Sequence, residues 1–172
     1  RISLSNNDSG GTGGQDSLSG NTVFGYLAGT IDSGSLRNTF VGHKSGFGTL
    51  NDALDNTCVG HGTGIALTQG DNNTLIGSYV GYNLSTGTDN TYIGKSCGNS
   101  FNSSYTTAVG SFAAATISSA DANGTVAVGY QALTALTSGA GNTAMGYQAL
   151  LTEDAGNRST AIGYQALTAQ NV

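Results

Sequence analysis

The sequence is dominated by a five-residue motif, Asn-Thr-x-(Val/Ile)-Gly, that recurs nine times at nearly constant spacing. The glycines that close the copies, here called the anchor glycines, are separated by 17, 18, 17, 17, 16, 19, 17 and 17 residues. They are Gly25, Gly42, Gly60, Gly77, Gly94, Gly110, Gly129, Gly146 and Gly163. A short fixed period indicates an architecture in which each unit stacks on its neighbours. The chain is therefore predicted to be a solenoid.

The composition of the repeat favours β-structure. Helical repeats need about 33 residues or more, which is about twice the period observed. The centre of the motif is β-branched or aromatic and is flanked by glycine, as is typical of a short strand. We therefore predict an all-β, parallel β-solenoid of about nine coils of about 17 residues, each with a strand, a turn, a second strand and a loop. Successive coils should lie about 4.8 Å apart, with the anchor glycines in one column.

The repeat also defines the domain organisation. Residues 1–20 do not fit the motif and are interpreted as an N-terminal cap or junction. The solenoid is predicted over residues 21–168, and residues 169–172 are interpreted as a tail that leads to a further domain. The length variation falls between the motifs, in polar segments that are predicted to be surface loops.

Side chains alternate across a strand, so the Thr and Val positions of the motif share one face. The Val column is apolar in all nine copies, and this face is predicted to line the interior of the coil. The Val column is Phe24, Val41, Val59, Ile76, Ile93, Val109, Val128, Met145 and Ile162. The Thr column is Thr22, Thr39, Thr57, Thr74, Thr91, Thr107, Val126, Thr143 and Thr160.

The x position of the motif lies on the opposite face and carries no charge in any copy. A continuous uncharged stripe is typical of an interface, so this column is predicted to join the chains of a homotrimer. It consists of Val23, Phe40, Cys58, Leu75, Tyr92, Ala108, Ala127, Ala144 and Ala161. The change from bulky side chains to alanine after Tyr92 predicts that the axis narrows, with a new cross-section near residues 110–130.

Charge and composition exclude several classes of protein. The net charge is −5, from five Lys and Arg against ten Asp and Glu, which argues against binding to nucleic acid. No apolar run approaches the roughly 20 residues of a membrane span, so membrane insertion is not predicted. Two cysteines cannot form a disulfide framework. Cys58 and Cys97 lie two coils, or about 10 Å, apart along the stack, which exceeds the reach of a disulfide.

Few residues suggest chemistry at a site. His43 and His61 occupy the same position in consecutive copies and are predicted to stack about 5 Å apart. Two imidazoles can bind a metal ion, but no third ligand is evident. The favoured interpretation is two turn residues, and no metal or cofactor is predicted.

The acidic residues offer a second candidate site. Asp52, Asp55, Asp71 and Asp89 lie at comparable positions between the motifs, where they could form an edge for Ca²⁺ or a catalytic carboxylate pair. Solvated loop charges are the favoured interpretation. The segment SNNDSGGTGGQD near the N-terminus resembles a Ca²⁺ loop in composition only. Neither histidine has a nearby carboxylate in the repeat, so the chain is predicted not to be an enzyme.

The C-terminal copies resemble repeats of known surface fibres. The copy TVAVG ending at Gly129 is similar to the S-V-A-I-G element in the heads of trimeric autotransporter adhesins, which stacks as a left-handed parallel β-roll. GNTAMGYQAL and STAIGYQAL, which contain Gly146 and Gly163, look still more like repeats of phage and viral tail fibres. The resemblance implies three intertwined or adjacent chains, an extracellular position on a virion or cell, and attachment to a host or matrix. Thr replaces the usual Val of the adhesin element in eight of nine copies.

The leading functional hypothesis is a structural and adhesive fibre segment. Loop residues such as Phe47, Tyr82 and Phe101 would contact a host-surface glycan or protein receptor. The alternative is an ice-binding β-solenoid with a Thr ladder, although the inward direction predicted for the Thr column counts against it. A fibre-borne polysaccharide depolymerase is disfavoured by the low charge and by the lack of an acid/base pair.

Overall fold

The computed structural model describes residues 20–29, 34–48, 50–99, 102–116, 122–152 and 156–168. Across these residues the chain is all-β, with no helix. The predicted parallel β-solenoid, with about 17 residues per turn, is confirmed. Nine strands form one sheet in sequence order: β1 (Thr22–Phe24), β2 (Thr39–Val41), β3 (Thr57–Val59), β4 (Thr74–Ile76), β5 (Thr91–Ile93), β6 (Thr107–Val109), β7 (Val126–Val128), β8 (Thr143–Met145) and β9 (Thr160–Ile162).

The strands pair in a register that places each motif position on the same position of the next coil. Thr39 pairs with Thr57, for example, and Phe40 pairs with Cys58. Backbone hydrogen bonds continue this stacking into the turn, where the Lys44 amide donates to the carbonyl of Tyr26 at 2.9 Å. Each coil therefore satisfies much of its backbone through the coils above and below it.

The prediction of a second strand in each coil is wrong. Outside β1–β9 the described residues form turns, bends and irregular segments, with isolated bridge residues at Leu36, Leu50 and Leu54, of which Leu36 and Leu54 pair with each other in parallel. The reason lies in the turn after the strand, where the second and fourth residues after each anchor glycine have positive φ; Lys44 (φ +55°) and Gly46 (φ +58°) are one such pair. Left-handed conformations at alternate residues are incompatible with an extended strand.

The prediction that the anchor glycines stack in one column is confirmed. They all have positive φ, from +128° at Gly163 to +142° at Gly25. A Cβ atom built on Gly77 would overlap the carbonyl oxygen of Gly94 in the next coil, and the same overlap recurs at each anchor before Gly163. Both the backbone conformation and the close approach of successive coils therefore require glycine here.

The alternation predicted along each strand is confirmed, but the predicted direction of the two faces is wrong. The x column points into the coil, and Phe40, Leu75 and Tyr92 have no exposed surface. The Thr and Val columns point outward, as the 67% exposure of Ile162 illustrates.

The homotrimer interface predicted at the x column is corrected by the same observation. These side chains are enclosed by their own coil within a single chain, where a partner chain cannot reach them. Val23 is partly buried, and the others are buried: Phe40, Cys58, Leu75, Tyr92, Ala108, Ala127, Ala144 and Ala161.

The motif asparagine shares the interior face with the x column and forms a hydrogen-bonded ladder. The side-chain oxygen of Asn56 accepts from both the backbone amide (3.0 Å) and the side-chain amide (2.9 Å) of Asn73. Asn73 then accepts the equivalent pair from Asn90. These side chains are almost completely buried. Because each amide is satisfied by the next coil, the ladder is tolerated inside a coil that a lone buried amide would destabilise.

The interior volume is shared between the x column and the fourth residue after each anchor glycine. Where x is bulky the fourth residue is glycine: a Cβ on Gly46 would overlap the ring of Phe40, and one on Gly81 would lie 3.0 Å from Leu75 Cδ1. Where x is Ala127 or Ala144, the fourth residue is a fully buried leucine. The change of cross-section near residues 110–130 is thus an exchange of side-chain volume within the core, and no narrowing of the axis is needed to explain it.

The anchor column predicts a specific loss of stability on substitution. We expect Gly77→Ala to cost about 1–3 kcal/mol through backbone strain and about 1–3 kcal/mol more through overlap with Gly94. Gly124→Ala is the matched control, because Gly124 also has positive φ (+69°) but a Cβ there meets nothing within 4 Å. It should lose only about 1–2 kcal/mol. Urea unfolding of the two variants measures the difference, and equal losses would contradict the close approach of the coils.

The exchange of core volume predicts coupling between two sites. Leu75→Ala should cost about 2–5 kcal/mol through the cavity that it leaves. Adding Gly81→Leu should recover part of this loss, because Gly81 (φ +56°) has the backbone conformation that Leu150 (φ +48°) adopts beside Ala144. Gly81→Leu alone should be destabilising through overpacking. A double-mutant cycle by urea unfolding tests this, and strictly additive effects would show that the two positions do not share one space.

Candidate functional site

The most extensive candidate surface is the outside of the sheet, formed by the Thr and Val columns and here called the outer strand face. It carries no charged side chain in β1–β9. Eight strand spacings of about 4.8 Å give it a length of about 38 Å. It exposes large apolar side chains in the single chain, among them Phe24 (54%), Met145 (45%) and Ile76 (37%).

The register gives the outer strand face a regular pattern. Threonine pairs with threonine from β1 to β6 and again from β8 to β9, and Val126 is the one interruption. Hydroxyl and apolar groups therefore recur at the strand spacing. The face offers no titratable group for acid/base or nucleophilic chemistry. Its chemistry suits contact with another extended surface.

Aromatic rings form ladders at the first position after the anchor glycine. His43 stacks on Tyr26 with ring centroids 5.6 Å apart, and Tyr147 stacks on Tyr164 at 5.2 Å. The predicted stacking of His43 and His61 is confirmed, with centroids 5.0 Å apart and planes at 21°. Sequence reasoning missed the tyrosine ladder, although the Tyr in each GYQAL copy signals it.

Two of the three loop residues predicted to contact a ligand are described by the structure, and they lie on different coils. Phe47 is exposed and lies beneath the ammonium of Lys44, which is 5.5 Å from the ring centroid. Tyr82 is exposed and packs on Tyr79 at 5.9 Å. Tyr82 lies two coils from Phe47, or about 10 Å along the stack. Phe101 lies outside the described residues.

The acidic edge that the sequence left open as an alternative to solvated loop charges is not assembled among the described residues. Asp55 accepts two 2.7 Å hydrogen bonds from Arg37 on the preceding coil, and these hydrogen bonds lower the pKa of the Asp55 carboxyl. The same interaction raises the pKa of Arg37. Asp71 accepts instead from the backbone amide of Leu54 at 2.7 Å.

Across the part of the chain that the structure describes, no three His, Cys, Asp or Glu side chains come close enough to hold a metal ion. The Ca²⁺-loop-like segment of residues 5–16 lies outside that part.

Both cysteines are free thiols inside the coil. Cys58, a member of the x column, is fully buried in its own chain. Burial raises the pKa of the Cys58 thiol. Burial likewise raises the pKa of Cys97, to about 12, and its Sγ donates to the carbonyl of Ala108 at 3.1 Å.

Two further findings bear on the class of protein. Among the described residues, none belongs to a helix that is long and apolar enough to cross a membrane. Comparison with protein-family models, with curated proteins and with solved structures found no match.

The thiols give a test of which face is interior. A raised pKa leaves little of the reactive thiolate at pH 8, and burial blocks access of the reagent. We expect a disulfide reagent such as Ellman's to label neither Cys58 nor Cys97 in the folded protein at pH 8, and to label both in denaturant. Absorbance of the released thiolate measures the reaction. Rapid labelling of Cys58 in the folded protein would show that the x column faces solvent.

Proposed function

We propose that this chain is a structural segment of a surface fibre, in which three copies associate through the outer strand face. The observation that carries the proposal is the uncharged, partly apolar stripe that runs along the outside of β1–β9. Monomeric proteins rarely expose a continuous apolar patch of this length, and such patches are typical of interfaces. The proposed trimer interface is thus formed by the Thr and Val columns and not by the x column.

The interior supports a structural role. Apolar x residues, the asparagine ladder and the anchor column fill the space inside the coil, which leaves the repeated core to act as a rigid spacer. Recognition of a host-surface glycan or protein is assigned to the loops, where the sequence departs from the repeat. The resemblance of the GYQAL copies to tail-fibre and adhesin repeats is the basis for placing this fibre outside the cell or on a virion.

The assembly is tested by a pair of adjacent substitutions. Ile76→Asp places a charge on the outer strand face, where it is solvated in the monomer but buried in a trimer. We expect native mass spectrometry to show a trimer for the unsubstituted protein and a monomer for Ile76→Asp, with its far-ultraviolet circular dichroism retained. Leu75→Asp is the control, because it buries an unpaired charge inside the coil and should unfold the chain.

Two results would contradict the proposal. A monomeric unsubstituted protein would remove the need for an interface on the outer strand face. A trimer that survives Ile76→Asp would show that the chains associate through another surface.

One observation favours a second function, an ice-binding solenoid. The Thr column points outward, which reverses the argument that the sequence alone raised against this alternative. Recurring hydroxyl and apolar groups at the strand spacing are the kind of flat, regular array that ice recognition requires. A monomer that shows thermal hysteresis, abolished by Thr74→Lys on the same face, would support this function over the fibre. A trimer without thermal hysteresis would favour the fibre.

A further inference from the structure

The two histidines of the chain form an exposed pair on the surface of the solenoid. His43 and His61 follow the anchor glycines of consecutive coils, and their backbones are joined by a 2.9 Å hydrogen bond from Gly62 to the carbonyl of His43. Both side chains are exposed. Their ring centroids are 5.0 Å apart with planes at 21°. The parallel register therefore presents two imidazoles side by side, fixed by the stacking of the coils.

We propose that His43 and His61 together chelate a divalent transition-metal ion. Metal–imidazole bonds are about 2.0–2.1 Å long, so two ligating nitrogens of one ion lie at most about 4.2 Å apart. The ring centroids are 5.0 Å apart, and a tilt of the two exposed rings toward each other brings one nitrogen of each ring within this limit. Imidazole suits Zn²⁺, Ni²⁺ and Cu²⁺, and Cu²⁺ binds most tightly of the three. Water completes the coordination shell.

Aromatic rings flank the pair on both sides and limit the imidazoles to small tilts. Tyr26 stacks on the outer side of His43 with ring centroids 5.6 Å apart, and Tyr79 packs on His61 in a T-shaped arrangement with ring centroids 4.7 Å apart. The neighbouring cation, Lys44, places its ammonium over the Phe47 ring. The rings on both sides restrict the two imidazoles, which lowers the entropy lost on chelation.

A titration with Cu²⁺ by isothermal calorimetry tests the chelate on the untagged chain. Two linked imidazoles should bind about 100-fold more tightly than one, because the second bond is intramolecular. We therefore expect His43→Gln and His61→Gln each to weaken binding by about 100-fold. Electron paramagnetic resonance of the Cu²⁺ complex should show two imidazole nitrogens in the unsubstituted protein and at most one in either variant. Circular dichroism should be unchanged, because both side chains are exposed.

A transplanted pair separates a chelate from binding elsewhere on the chain. Tyr130 and Tyr147 stack at 5.3 Å with planes at 17°, close to the geometry of the histidines. In the His43→Gln/His61→Gln background, adding Tyr130→His and Tyr147→His should restore tight binding, whereas Tyr130→His alone should not. Equal affinity of the unsubstituted protein and both single His→Gln variants would overturn the proposal. So would a Cu²⁺ signal that lacks imidazole nitrogens.

Discussion

Parallel, in-register stacking of one coil on the next is the constraint on which the rest of this structure depends. Each strand pairs with the same three motif positions of the neighbouring strand. Most columns therefore stack residues of the same type on one another. Residue types that tolerate their own copies at about 4.8 Å can fill such columns. Asparagine does so by donating to one neighbour and accepting from the other, as Asn73 does between Asn56 and Asn90. Aromatic rings do so by stacking.

The same constraint explains how charge is distributed. Like charges on successive coils would repel, and the column before the motif asparagine avoids this. It runs Arg37, Asp55, Asn72, Asp89, so the first two members form the one salt bridge found among the described residues, and a neutral amide separates the two acids. Only 9% of the residues are charged, and no charged side chain is buried among the residues that the structure describes. Stacking of equivalent positions thus disfavours columns of like charge.

The repeat was sufficient to predict the fold, because anchor spacing alone fixes which residues stack. The direction of the faces could not be read from apolarity, since both the x and the Val columns are uncharged. The stronger signal was reciprocal size: x is bulky where the fourth residue after the anchor is glycine, and alanine where it is leucine. When one side chain is large wherever the other is small, the two positions must fill the same enclosed space. The histidine pair was predictable for the same reason as the fold, whereas the loops between motifs lack the repeat that would place them.

The outer strand face is the part of the chain whose composition the fold leaves unexplained. Interior packing is satisfied by the x column, the asparagines and residues such as Leu133, nearly all of which are buried. Strand propensity favours β-branched side chains on the outside, yet a solvated strand face ordinarily carries polar and charged residues. Unpaired Phe24 and Met145 would gain nothing from exposure to water. Stacking disfavours like charges on neighbouring coils but permits opposite charges such as Arg37 and Asp55, so it does not by itself explain 18 uncharged positions in the two outer columns. Contact with another surface, as in the proposed assembly, would explain them.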